Sequence, residues 1–320
     1  MGTDVLATIP VPMEPGRVAI APDGSQAFVT LSERVVEGPD LGAVAVIDTA
    51  TREVITTVPV GSMPAEVVVA PDGMSLYVPC WDAPNLHGIL SVIDVGTGSV
   101  TTSVVLSGKG GGPTGAAITP DGTRVYVSTQ HELGAPTENG KVSVVDTATL
   151  MIVTTIPVNP FTSGVGITPE GLLVYALDTE GDPAVIDTAT NAASFPFLSS
   201  PVGDRIAFTP DGRLAYMVRD SDVQIIGVEV PSNRQGGAAS ETGNGLATDV
   251  AVTPDGRLVY VTDRTEHLIS VVKTGAGAQP PSHPTRWTGT ANGIAILPDG
   301  RTAYVTDAES KAVQVIPVEH

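Results

Sequence analysis

The stretch Val67-Val68-Val69-Ala70-Pro71-Asp72-Gly73-Met74-Ser75-Leu76-Tyr77-Val78 decides the fold, because it is one copy of a pattern that recurs along the chain. An apolar run leads into Pro-Asp-Gly, and an aromatic residue in a second apolar run follows six residues after the proline. Proline presets one dihedral angle of a tight turn, and glycine accepts a positive φ. Each copy therefore predicts two antiparallel strands joined by a turn.

Seven copies of this pattern follow one another with spacings of 49, 49, 49, 41, 44 and 44 residues, with their prolines at Pro22, Pro71, Pro120, Pro169, Pro210, Pro254 and Pro298. Six copies read Pro-Asp-Gly, and the fourth reads Pro-Glu-Gly at residues 169–171. A third strand ending in Ile-Asp-Thr or a variant, and then a fourth strand, complete each copy. Four short strands repeated with a period in the forties are typical of β-propeller blades. The sequence thus predicts an all-β, seven-bladed propeller of four-stranded antiparallel blades. A parallel β-solenoid, whose rungs are usually shorter, is the main alternative.

The two ends of the chain complement each other. Residues 4–11 match a fourth strand with no blade before it, and residues 312–316 match a third strand with no fourth strand after it. We therefore expect the N-terminal strand 4–11 to complete blade 7 and close the ring, which removes exposed sheet edges. Residues 1–320 are then a single propeller domain.

Composition limits the partners and the compartment. The net charge of −19 argues against binding to nucleic acid or to anionic membranes. Cys80 is the only cysteine, so no internal disulfide forms. The N-terminus lacks the basic and apolar segments of a signal peptide, which predicts a cytoplasmic protein, with export after removal of a signal left open. We expect a monomer.

Tyr-Val-Thr at 260–262 and 304–306, together with Pro-Asp-Gly and Ile-Asp-Thr-Ala-Thr at 47–51, resembles the YVTN-repeat seven-bladed propellers of bacteria. The resemblance covers essentially the whole chain. Similar propellers include surface-layer proteins, subunits of redox enzymes, and lactonase-like or lyase enzymes. Since one fold hosts unrelated functions, the resemblance implies the fold and leaves the function open.

Departures from the repeat indicate where function lies. Five residues before each proline the family pattern favours glycine, but four of the seven positions here are charged, namely Arg17, Glu66, Arg205 and Asp249. We expect these side chains to surround the channel mouth on the face opposite the Pro-Asp-Gly turns. They either form ion pairs between adjacent blades, Arg17 with Glu66 and Arg205 with Asp249, or bind a ligand.

The loops between the second and third strands are longest in blades 1 to 3, which predicts a wall over one side of the mouth. Blade 2 contributes Trp81, Asp82 and His87, and blade 3 contributes His131 and Glu132. Trp81 either stacks on a ligand or packs on its own loop. Further candidate ligand-binding residues on this face are Asp178, Arg219, Asp263, Arg264 and His267. A divalent cation at the mouth is also compatible with these charges, although no metal-binding spacing identifies one.

Two functions compete at the sequence level. In the first, the protein is an enzyme of lyase, isomerase or hydrolase type acting on a small molecule. Arg17 and Arg205 would bind an anionic or carbonyl group, and His87 or His131 would move protons, oriented by Glu66 or Asp82. In the second, a non-catalytic propeller binds a protein or peptide on the same face. The charged ring and the histidines favour the enzyme, and the lack of a known catalytic motif favours the scaffold.

Overall fold

The predicted propeller is confirmed. A computed structural model contains seven antiparallel sheets of four strands, with a short fifth strand in one of them, and no helix in the part of the chain that it describes. Accordingly, no described segment is a helix of the length and apolarity needed to cross a membrane. The described residues are 5–109, 111–130, 139–196, 203–218, 224–230, 232–235, 240–241, 245–274, 285–286 and 289–319.

In blades 1 to 6 the strands follow chain order from the central channel outward. Blade 1 contains β2 (Glu14–Ile20), β3 (Gln26–Glu33), β4 (Leu41–Asp48) and β5 (Glu53–Val60). Blade 2 contains β6 (Val68–Val69), β7 (Ser75–Asp82), β8 (His87–Asp94) and β9 (Ser99–Lys109). Blade 3 contains β10 (Pro113–Ile118), β11 (Arg124–Thr129), β12 (Gly140–Asp146) and β13 (Ile152–Val158). Blade 4 contains β14 (Thr162–Ile167), β15 (Leu173–Asp178), β16 (Ala184–Asp187) and β17 (Ala193–Ser194). Blade 5 contains β18 (Arg205–Phe208), β19 (Leu214–Val218), β20 (Gln224–Glu229), β21 (Arg234–Gln235) and β22 (Ser240–Glu241). Blade 6 contains β23 (Ala247–Val252), β24 (Leu258–Asp263), β25 (Leu268–Lys273) and β26 (Thr285–Arg286).

Blade 7 joins the two ends of the chain. Its inner strands are β27 (Ala291–Ile296), β28 (Thr302–Asp307) and β29 (Ala312–Pro317), and its outer strand is β1 (Ala7–Pro10). The register pairs Ala7 with Val315 and Pro10 with Ala312. The ring therefore closes as the complementary ends predict, with the strand four residues long rather than eight.

The apolar core is divided among the seven interfaces between adjacent blades, each with its own cluster of buried side chains. The aromatic residue six positions after each proline packs into the interface with the next blade and is at most 4% exposed. The hydroxyl groups of Tyr126 and Tyr175 donate hydrogen bonds to Asn191 and Asn233 in the turn between the third and fourth strands of that blade. A buried ring whose polar tip is satisfied fits an interface of this kind.

The Pro-Asp-Gly turns form a ring on one face of the propeller. The glycines of these turns have φ between 67° and 75°, a backbone conformation that residues with a side chain rarely adopt. A Cβ at Gly73 would lie 3.8 Å from Cδ of Pro22, in the preceding blade. Because the turns occupy this face, the starts of the innermost strands and the candidate site lie at the opposite end of the channel.

Candidate ligand site at the channel mouth

A β-bulge near the start of the innermost strand shapes the mouth. In five blades the pairing with the second strand shifts register there, between Pro15 and Val18, Pro113 and Gly115, Thr162 and Gly164, Ala247 and Asp249, and Ala291 and Gly293. A bulge leaves an extra residue unpaired and redirects its side chain. The residue six positions before the proline thus lies at the rim, and the residue five positions before it lies one step deeper.

These two positions build two cavities along the channel. The mouth cavity has a volume of about 390 Å³ and is lined by Gly16, Arg17, Pro64, Ala65, Ser163, Asp204, Arg205, Ala247, Thr248, Arg264 and Asn292. The inner cavity has a volume of about 80 Å³ and is lined by Glu66, Gly115, Gly164, Val165, Leu177, Asp204, Arg205, Ile206 and Asp249. Because Asp204 and Arg205 line both cavities, they form the boundary between them.

Arg17 reaches across blade 7 instead of pairing with Glu66. Its Nη1 donates hydrogen bonds to the backbone oxygens of Thr248 at 2.5 Å and Asn292 at 2.7 Å, and lies 3.7 Å from Oδ2 of Asp249. The expected ion pair between Arg17 and Glu66 in adjacent blades is therefore wrong. The reason is Gly293 of blade 7, where a Cβ would lie 2.7 Å from the Gly16 oxygen and 3.1 Å from Cα of Arg17.

Arg205 likewise bends back over the preceding blade. Its Nη1 donates to the backbone oxygens of Asp204 at 2.9 Å and Ser163 at 3.2 Å, and it makes no ion pair with Asp249, so this expected pair is also wrong. A Cβ at Gly164 would lie 3.2 Å from this Nη1. Burial and then the neighbouring charge of Arg17 lower the pKa of Arg205 to about 10, so the guanidinium stays charged at neutral pH.

Glu66 is the acidic residue of the charged ring that we consider for proton transfer, because it lines the inner cavity. Its Oε1 accepts a hydrogen bond from the backbone N–H of Val67 at 3.1 Å. The side chain is partly exposed to the inner cavity but otherwise surrounded by protein, and this burial raises the pKa of Glu66. The positive charges of Arg205 and Arg17 oppose the rise, and the negative charge of Asp249 adds to it. A carboxyl group tuned upward by burial suits proton transfer near neutral pH.

The carboxylate of Asp249 is occupied by contacts that hold the channel mouth together. Its Oδ1 accepts a hydrogen bond from the N–H of Val250 at 2.9 Å, and its Oδ2 accepts one from the N–H of Ile294 in blade 7 at 3.0 Å. Together with its contact to Arg17, these bonds tie blades 6, 7 and 1 to one another. Asp249 therefore orients Arg17, and we do not assign it a direct contact with a ligand.

Three rim side chains strengthen the frame in a repeated way. Ser163 donates to the backbone oxygen of Gly203 at 3.0 Å, and Thr248 donates to that of Ala291 at 2.7 Å. Asn292 donates to the oxygen of Pro15 at 3.3 Å. In each case the acceptor is the residue seven positions before the proline of the next blade. Sequence reasoning missed this set, although its regular place in the repeat offered a signal.

The insertion in blade 2 does not reach the mouth. Asp82 and His87 pair with each other at the end of an extended hairpin, and Asp82 accepts a hydrogen bond from Asn85 at 2.8 Å. The backbone of Trp81 pairs with Ser62 at the start of the loop that leads from blade 1 into blade 2. None of Trp81, Asp82 and His87 lines either cavity. The expected wall of loops is, in this blade, a longer pair of strands.

Three other candidates organise loops. Asp178 is 2% exposed and accepts hydrogen bonds from the N–H groups of Phe161 and Glu180. Asp263 is equally buried and accepts bonds from three backbone N–H groups of its surroundings. Nδ1 of His267 lies 2.7 Å from the oxygen of Gly289 in the next blade. These contacts explain the three side chains without a ligand, and none of the three lines either cavity.

One of the remaining candidates lies at the site, and three belong to segments outside the described ranges. Arg264 is exposed and lines the mouth cavity, as expected. His131, Glu132 and Arg219 lie outside the described residues. Within the described ranges, no group of three or more His, Cys, Asp or Glu side chains is arranged to hold a metal ion, so the suggested divalent cation gains no support there.

Comparison with known proteins agrees with this architecture. A family model described as "Lactonase, 7-bladed beta-propeller" matches residues 167–320. This match spans just under half of the chain, and the resemblance to YVTN-repeat propellers stays a prediction. A search of the curated proteins finds no match.

Two solved structures share the fold over nearly the whole chain. A chain of Kuenenia stuttgartiensis hydrazine synthase is 20% identical with a TM-score of 0.72, over 99% of this chain and 97% of that one. A chain of a mitotic checkpoint complex is 14% identical with a TM-score of 0.78, over 100% of this chain and 93% of that one. At these identities the likeness concerns the fold alone.

Proposed function

We propose that the channel mouth binds a small anionic carbonyl compound and that Glu66 transfers a proton to or from it. The observation that carries this proposal is that the two cavities adjoin each other, since Asp204 and Arg205 line both. Arg17, Arg205 and Arg264 give the mouth cavity three guanidinium groups, and the inner cavity beside it contains the Glu66 carboxyl group. Guanidinium groups bind carboxylates strongly and polarise carbonyl oxygens.

The family match adds a substrate class to this chemistry. Because the matching family model is described as a lactonase, we take a lactone carrying a carboxylate as the first substrate to test. Arg17 and Arg264 would bind the carboxylate, and Arg205 would stabilise negative charge that develops on the ring carbonyl. In this role Glu66 takes the place of His87, which lies away from both cavities, while His131 lies outside the described residues and stays a prediction.

The alternative, a scaffold that binds a protein or peptide on this face, draws on the fold. Propellers occur in the hydrazine synthase and in the checkpoint complex, but both chains are at most 20% identical to this one. A concave, charged cavity of about 390 Å³ lies in the range of small-molecule sites. We therefore favour a small ligand. A monomeric state and a cytoplasmic location stay predictions.

The test combines binding and turnover. A panel of five- and six-membered lactones with and without a carboxylate is measured by calorimetry and by pH-stat titration of acid release. We expect Arg264→Ser to weaken binding about tenfold, equivalent to ~1.4 kcal/mol for one charge-assisted contact. The matched control is Arg257→Ser, whose side chain is 84% exposed beside the turn on the opposite face.

Glu66→Gln should bind the same ligand and lose turnover by about 100-fold or more, the usual effect of removing a proton-transfer group. The proposal fails if no member of the panel binds the wild-type protein. It also fails if Glu66→Gln turns over at the wild-type rate, or if Arg264→Ser and Arg257→Ser bind equally well.

A further inference from the structure

The inner cavity owes its size to two neighbouring glycines. Blades 3 and 4 place Gly115 and Gly164 at the position where blades 1, 2, 5 and 6 have a charged side chain. The part of the cavity wall that these two glycines form therefore carries no side chain. The opposite sides of the cavity are formed by Glu66 of blade 2 and Arg205 of blade 5. A volume of about 80 Å³ accommodates two to three water molecules at ~30 Å³ each.

The two opposite charges that face this cavity do not touch. Glu66 and Arg205 line the same small space, yet no ion pair within 4.0 Å joins them. Unscreened opposite charges attract strongly in a protein interior, so a pair held apart favours a polar molecule between its members. The side chains are held apart by their own bonds, Arg205 to Asp204 and Ser163, and Glu66 to Val67.

A second observation points to the same molecule. Nε of Arg205 is buried and has no hydrogen-bond partner among the described residues. Leaving a buried N–H donor unsatisfied costs about 1–3 kcal/mol, so native proteins usually give such a donor a partner. The partner must be small, must accept a hydrogen bond from Nε–H and must tolerate the Glu66 carboxylate nearby. Water meets all three conditions, whereas an anion would be repelled by Glu66, Asp204 and Asp249.

We propose that the inner cavity holds the water molecule that reacts, with Nε–H of Arg205 donating to its oxygen and Glu66 accepting its proton. The inference rests on the proposed function and narrows it, because it makes the reaction a hydrolysis and excludes an isomerisation of the same substrate. Gly115 and Gly164 then define the water site, and Arg205 connects it to the ligand in the mouth cavity.

The step balances as ester hydrolysis. The water oxygen forms a bond to the ring carbonyl carbon, and its proton passes to the Glu66 carboxylate. The carbonyl oxygen becomes a tetrahedral oxyanion beside the guanidinium of Arg205. When this intermediate collapses, the bond from the carbonyl carbon to the ring oxygen breaks, and Glu66 returns the proton to the departing alkoxide. One lactone and one water give one hydroxy acid.

The first experiment examines the cavity without any substrate. A high-resolution crystal structure of the wild-type protein should show an ordered water within hydrogen-bond distance of Nε of Arg205 and of a Glu66 carboxylate oxygen. Crystals soaked in sodium bromide should show no anomalous bromide peak there. A bromide peak in the cavity would make it an anion subsite, and a direct Glu66–Arg205 ion pair would leave no water site. Either result overturns the proposal.

The second experiment follows the oxygen atom. In a single turnover in ¹⁸O-labelled water, direct attack places one ¹⁸O in the new carboxylate of the product. Attack by Glu66 itself would instead form an anhydride with the opened lactone. Hydrolysis of this anhydride at the Glu66 carbonyl carbon would leave the label in the protein, which peptide mass spectrometry detects, and would overturn the proposal. If no lactone is hydrolysed, the reactive role fails with the proposed function, while the crystallographic result still decides whether the water site exists.

A variant separates this role from ligand binding. Arg205→Lys keeps a positive charge but removes Nε–H, so we expect kcat to fall about 100-fold, as for loss of one positioned hydrogen bond, with a smaller change in KM. Arg17→Lys should show the reverse, a raised KM and a nearly unchanged kcat. Thermal melting establishes that both variants fold. Equal effects of the two substitutions on kcat and KM would contradict the assignment of Arg205 to the water.

Discussion

Truncation of Arg17 tests whether the mouth is also a structural element. Arg17→Ala removes two hydrogen bonds from a charged donor to the backbone oxygens of Thr248 and Asn292, as well as the contact with Asp249. The Arg17 side chain is only 17% exposed, so water replaces these partners incompletely. Hydrogen bonds from charged groups contribute about 1.5–3 kcal/mol each, and partial rehydration reduces the expected total loss to about 2–4 kcal/mol.

Urea denaturation monitored by circular dichroism measures this loss as a lower midpoint at unchanged slope. The unfolding entropy of about 2.1 cal/mol/K per residue amounts to about 0.7 kcal/mol/K for this chain, so the Tm should fall by ~3–6 °C. The control Arg257→Ala breaks a single exposed ion pair and should change stability by less than about 0.5 kcal/mol. Equal stability losses in the two variants would refute the inference that Arg17 ties blade 1 to blades 6 and 7.

Three further predictions concern single positions. Gly293→Ala should destabilise the fold by about 1–3 kcal/mol in urea denaturation because its Cβ meets backbone at 2.7 Å, whereas Gly112→Ala, with nothing within 4 Å, should not. Because burial raises the pKa of Glu66 above its ordinary 4.5, its stabilising contribution is full below that pH and is lost as pH rises through the raised value. Glu66→Gln should therefore gain stability relative to wild type between pH 4 and pH 8, and a constant difference would contradict this. Cys80 is fully buried with a raised thiol pKa, so Ellman's reagent should label it only after unfolding, and rapid labelling of the native protein would contradict its burial.

The fold followed from the sequence because its signals are local and repeated. Proline and glycine fix each turn within three residues, and the aromatic residue six positions later always packs into the next interface. The complementary ends fixed the ring closure for the same reason. Charged positions at the mouth could also be located by counting from each proline, which correctly brought Arg17, Glu66, Arg205 and Asp249 to one channel.

The hydrogen-bond and ion-pair partners of those charged side chains could not be predicted. They depend on how far each side chain extends across the channel mouth rather than on the order of the blades. The position of Arg17 and Glu66 in adjacent blades suggested an ion pair between them. The long side chain of Arg17 instead passes over Gly293 to blade 6. Loop length was misleading in a similar way. The extra residues of blade 2 extend the hairpin that ends at Asp82 and His87, since paired backbone is more stable than open loop.

The pairing of Ala7 with Val315 also bears on how the protein is made. At a synthesis rate of about 5–20 residues per second, roughly 15–60 s pass between the emergence of these two segments from a ribosome. During that interval β29 does not yet exist, and the edge of β1 has no partner within its own blade. Blade 7 is the blade of the described structure that combines strands from both ends of the chain, so its completion requires the last strand to be made. A circular permutant that places β1 directly after β29 would remove this interval, and its yield of folded protein during cell-free translation should exceed that of the original chain order.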